Sequence, residues 1–96
     1  MRISKMGTKM VKYGKKGIEQ IPIDKPVLYR IETESGNPRY IGVAQKGRVR
    51  EIISEHLGQV PGARVRFEQF DDIRDAMKKE IRVIRRAKAK YKRQGK

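Results

Sequence analysis

The sequence predicts an α+β domain: a small three-stranded antiparallel sheet with flanking helices, in the order β-β-α-β-α. Three observations carry this. Residues 27–34 and 39–44 alternate in polarity around the segment ESGNPR, whose Ser, Gly, Asn and Pro favour a turn, so the pair reads as a hairpin. Val49, Ile52, Ile53 and Leu57 recur at i, i+3, i+4 and i+8, which is one face of a helix. A second helical stripe, Ile73, Ala76, Met77, Ile81, Ile84, Ala87 and Tyr91, follows another alternating run at 64–70.

Residues 1–25 form a flexible basic arm by composition, since Met1 to Gly17 alternates Lys and Gly without a sustained period. Within it, Gly17 to Asp24 either adds an edge strand or packs down, and Pro22 and Pro26 limit its ladder bonding. The folded unit is expected over residues 26–92, with a basic tail at 93–96. Val27 to Glu34 is the first strand, with Val27, Tyr29 and Ile31 on one side. Arg39 to Ala44 is the second, with Tyr40, Gly42 and Ala44 opposite Arg39, Ile41 and Val43. Gly42 lacks a side chain, so another group can approach the backbone there. Lys46 to Leu57 is the helix, with Gly58 placed to end it. Arg64 to Phe70 is the third strand, with Val65 and Phe67 inward. Asp71 or Asp72 caps the last helix.

The net charge is +14, and its distribution is informative. Residues 1–26 carry +5, residues 27–77 are neutral, and residues 78–96 carry +9. A balanced core between two cationic ends suits a polyanionic partner, because a phosphate backbone rewards Lys and Arg through counterion release. Nucleic acid, DNA before RNA, is the expected partner. Arg39, Arg48, Arg64 and Arg66 are the candidates on the folded part for contacting it. The absence of cysteine excludes disulfides and thiolate metal sites, and makes the cytosol the expected compartment. The longest apolar runs are too short for a membrane span, and an anionic membrane surface is not expected as a partner.

Four side chains stand out. Tyr29 and Tyr40 open the hairpin strands, and they share a face only if the pairing matches odd with even positions. Arg50 lies about 100° around the helix from Val49, on the shoulder of its apolar stripe. Glu80 lies about 20° from the centre of the last helix's apolar stripe, where a carboxylate is costly unless paired, solvated by a cleft or bound to a metal. Two phenols, a guanidinium and a carboxylate are what phosphodiester hydrolysis needs: a group to deprotonate or orient water, a cation for the charge developing at phosphorus, and a ligand for a hard metal ion. One carboxylate suffices for one Mg²⁺, which keeps several waters and takes substrate oxygens as well. His56 reads as a packing or capping histidine on its helix's stripe.

With these residues in place, the chain resembles the GIY-YIG nucleases over about residues 26–92. Val27-Leu28-Tyr29 stands for the first motif and Tyr40-Ile41-Gly42 is the second. Arg50 falls at the family's spacing of ten after the second motif's tyrosine. Ala76 to Glu80 reproduces the alanine-to-glutamate spacing of the last helix. Val27 replaces the first motif's glycine, Val43 a frequent lysine, Ser54 a frequent His or Tyr, and Lys92 a frequent asparagine. The resemblance implies a metal-dependent endonuclease cutting DNA with a single Mg²⁺ or Mn²⁺. Tyr29 or Tyr40 would orient or deprotonate water, a nearby cation would lower that phenol's pKa, Arg50 would stabilise the transition state, and Glu80 would ligate the metal. Specificity would come from a separate protein partner. The alternative is a non-catalytic nucleic-acid-binding module on the same fold.

Overall fold

The hairpin forms around its turn. Asn37 donates its backbone N–H to Thr33 Oγ1 at 3.1 Å, Thr33 donates to the Asn37 carbonyl at 2.9 Å, and Gly36 takes the left-handed conformation at φ 93°. The computed structural model describes residues 8–87. Its elements are β1 (Lys9–Lys12), α1 (Lys15–Ile18), β2 (Val27–Glu32), β3 (Pro38–Ala44), α2 (Val49–Ser54), β4 (Arg64–Gln69) and α3 (Ile73–Ala87). β2 and β3 pair antiparallel with Tyr29 opposite Gly42 and Ile31 opposite Tyr40. Odd therefore meets even, and both tyrosines lie on one face.

The sheet is antiparallel throughout, but it has four strands, in the order β1-β4-β2-β3. This corrects the expected three. The added strand comes from the segment expected to be a loose arm: Val11 pairs with Val65 and Lys9 with Phe67 along the free edge of β4. Residues 9–25 do not trail from the domain. Ile18 and Ile21 are fully buried in the main core beside Val27, Ile31, Val49 and Ile53. Gly17–Asp24 packs down through the single turn of α1 and not as a strand. Gly17 makes this docking possible, because a β-carbon there would collide with the Lys12 carbonyl.

The odd-numbered side of β2 and β4 packs under α1 and α2. On the other side, α3 covers only part of the sheet, with Val83 and Ile84 against Leu28, Ile41 and Val43. Its apolar face is rotated from the expected stripe: Val83 belongs to it, whereas Met77 and Ile81 are half exposed. Asp72 caps α3 as expected, accepting the Arg74 backbone N–H at 2.9 Å. α2 starts later than expected, where Gly47, at φ 85°, donates to the Ile23 carbonyl before the helix begins, and ends earlier, where His56 and Leu57 donate to carbonyls three residues back. Expectations for Tyr91, Lys92 and the 93–96 tail lie outside the described residues. Among those described, no helix is long and apolar enough to cross a membrane.

Candidate functional site

Tyr29 is buried, yet its hydroxyl reaches the edge of the sheet because it lies across Gly42. A β-carbon at residue 42 would stand 2.7 Å from the Tyr29 hydroxyl and 3.1 Å from the Tyr40 ring. The close approach expected at Gly42 is thus made by Tyr29 itself. The two phenol rings stack with centroids 6.1 Å apart and planes at 12°.

His56 completes this cluster. After Ser54 the chain tightens: His56 donates its N–H to the Ile53 carbonyl three residues back, and Gln59 and Val60 donate to the His56 carbonyl. The tightening turns the imidazole back over the hairpin. The ring sits 4.3 Å from the Tyr40 ring, and Nε2 lies 2.8 Å from the Tyr29 hydroxyl. The histidine expected to be a packing residue therefore touches both tyrosines. The clue in the sequence was its place in a Gly-terminated turn beyond the helix, where a regular helical wheel no longer applies.

Glu80 comes from the opposite wall. It is 8% exposed, and it lines a cleft of about 450 Å³ together with Tyr29, Tyr40, His56, Glu55, Gly42 and Met77. Three of the four expected residues, Tyr29, Tyr40 and Glu80, thus meet. Arg50 does not join them. Its Nε donates to the Ile21 carbonyl at 2.9 Å and it is not among the cleft-lining residues. The reason is helical phase: at about 100° per residue, Arg50 lies roughly opposite Ile52 and Glu55, which do face the cleft.

The other expected arginines are dispersed. Arg48 is the N-cap of α2 and bonds Glu51 at 3.2 Å. Arg39 lines a shallow depression beside the β2–β3 turn, with Thr33, Ser35 and Gly62. Arg64 and Arg66 lie on the same sheet face as α3, in the part that α3 leaves open, and both donate from Nε to the buried Glu32.

Burial sets the protonation states. It raises the Tyr29 phenol's pKa well above the usual tyrosine range, with the Tyr40 and Glu80 charges adding to the rise. Arg50, one of the cations expected to lower it, points elsewhere. Burial lowers the His56 pKa, against a smaller opposing effect of Glu55. Both groups are then neutral at neutral pH, and in the Nδ1–H tautomer His56 Nε2 accepts from the Tyr29 hydroxyl. Among the described residues no three His, Cys, Asp or Glu side chains cluster as a ready-made metal cage. The donor set is one buried carboxylate, with Glu55 on the same cleft, which suits a hard ion that keeps its waters and not a closed structural site. Compared with known protein families, curated proteins and solved structures, the chain matches none.

Proposed function

We propose that the cleft is the active site of a small metal-dependent endonuclease of the GIY-YIG type, hydrolysing phosphodiester bonds in DNA. The observation that carries this reading is the Tyr29 hydroxyl 2.8 Å from a neutral imidazole, in a cleft shared with the buried carboxylate of Glu80. A phenol whose pKa is raised is a poor phenolate base, so the base is His56 acting through Tyr29. The attacking water gives its proton to the Tyr29 oxygen while the phenol proton passes to His56 Nε2. The hydroxide formed attacks phosphorus, the P–O bond to the leaving oxygen breaks, and solvent protonates that oxygen. The imidazolium then returns its proton to water. Glu80 would hold one Mg²⁺ or Mn²⁺, which supplies positive charge to the phosphate and the leaving oxygen. Tyr40, stacked on Tyr29 and tilted against His56, keeps both rings in place.

Cleavage of linear, nicked and branched DNA, with Mg²⁺ or Mn²⁺, tests this. Glu80→Gln and Tyr29→Phe are expected to cut at least about 100-fold more slowly than wild type. A wild-type protein that cuts nothing, or two variants that cut as well as it does, overturns the reading. A second reading, a binding module without catalysis, draws on Arg50 standing outside the cleft. Its mark is DNA binding with a steep salt dependence and no cutting.

A further inference from the structure

We infer that the half of the sheet left open by α3 is a second polynucleotide-binding surface, on which phosphate groups dock against Lys12, Arg30, Arg64 and Arg66. Register puts these residues on one face: Lys12 is opposite Arg64, Arg64 opposite Glu32, Met10 opposite Arg66, and Arg66 opposite Arg30. Glu32 organises the face. It is 2% exposed, and three guanidinium Nε atoms surround it: Arg64 at 3.0 Å, Arg66 at 3.1 Å and Arg30 at 3.2 Å. One carboxylate therefore holds three cations in fixed positions and cancels only one of their charges. Each arginine gives Glu32 its Nε, and the two terminal NH₂ groups are the part of the guanidinium suited to forked contact with phosphate oxygens.

The setting fits a phosphate chain better than a protein or a lipid surface. Among the described residues, Met10 is the large exposed apolar residue on this part of the face, which forms no greasy patch to invite a protein core. Where the face meets α3, a hollow of about 70 Å³ is lined by Arg30, Arg66, Glu68 and Lys79, with Leu28 and Val83 below. Glu68 is already engaged by Lys79 at 2.7 Å. Both acids here are thus tied to cations, and a positive excess faces outward. Arg64 and Arg66 stand two residues apart on β4, about 6.7 Å along the strand, which gives a row of cations and not a single point charge. The neutral total of residues 27–77 conceals this row, because their other acids lie on other elements.

The inference requires a polynucleotide partner but not cleavage, and the experiment separates the two. Binding of fluorescein-labelled single-stranded DNA, duplex DNA and RNA is followed by anisotropy in EDTA, between about 50 and 200 mM salt. Arginine variants leave Glu32 buried without its partners and risk unfolding, so the test is the double variant Met10→Glu/Lys12→Glu. Both residues are exposed and neither touches Glu32. The expected result is roughly ten-fold weaker binding and a salt slope shallower by about one to two, with an unchanged melting temperature. Unchanged affinity and slope in the double variant, or no binding by wild type, overturns the inference. Loss of cleavage alone leaves it standing.

Discussion

At Gly42 the absence of one methyl group decides the geometry of the cleft. Tyr29 is 2% exposed and its hydroxyl is held by His56, so it has no room to retreat from a new β-carbon. Gly42→Ala is expected to cost about 2 kcal/mol by overpacking and to break the phenol–imidazole contact. Thermal melts and cleavage rates check this, and an active, fully stable variant contradicts it. His56 makes a separate prediction about pH. Its folded pKa lies below its unfolded one, so between the two values the unfolded chain binds a proton that the folded chain does not. Stability is therefore complete above the ordinary histidine value near 6.5 and falls as pH drops through it. Across about pH 8 to 5, the melting temperature of wild type is expected to fall more than that of His56→Gln. Cleavage is expected to fade in the same acid range, because a protonated imidazole accepts nothing from Tyr29.

The elements show why part of the site was legible in the sequence and part was not. Strand alternation fixes faces once the register is known, so Tyr29, Tyr40 and Gly42 followed from the period of two. Glu80 followed from the period of α3, although Met77 and Ile81 turned out half exposed and Val83 took their place. One failure sits where the backbone leaves its regular period. α2 has only six residues, and the turn after it re-aims His56, so extending the wheel to Leu57 misplaced the imidazole. A similar phase argument moves the cation. Ile52 donates its N–H to the Arg48 carbonyl at 2.9 Å, so Arg48 stacks one turn before a cleft-lining residue, whereas Arg50 is bound to Ile21 on the other side. Arg48→Ala is expected to slow cleavage more than Arg50→Ala does. Arg50→Ala is expected to lose about 1 kcal/mol of stability with its hydrogen bond. Cleavage rates and denaturant melts of both variants decide it, and the reverse order of rates would restore Arg50 as the catalytic cation.

In the whole molecule, residues 9–25 of the segment that composition marked as a loose cationic arm are a structural member, and residues 1–7 lie outside the described residues. Lys and Gly dominate its composition, but three apolar side chains decide its position: Val11 pairs across to Val65, and Ile18 and Ile21 fill the core above Val49 and Ile53. A chain this small has little core to lose. Ile21→Ala removes a fully buried side chain from under α2 and is expected to cost about 3 kcal/mol. Shifting this loop also disturbs the Ile21 carbonyl that holds Arg50, so the two substitutions are expected to be non-additive. A double-mutant cycle of Ile21→Ala with Arg50→Ala, read by urea melts, measures that coupling. If residues 9–25 were a loose arm, Ile21→Ala would leave the midpoint unchanged and the cycle would close at zero. If they are part of the fold, the midpoint drops and removing Arg50 costs less in the Ile21→Ala background than in wild type.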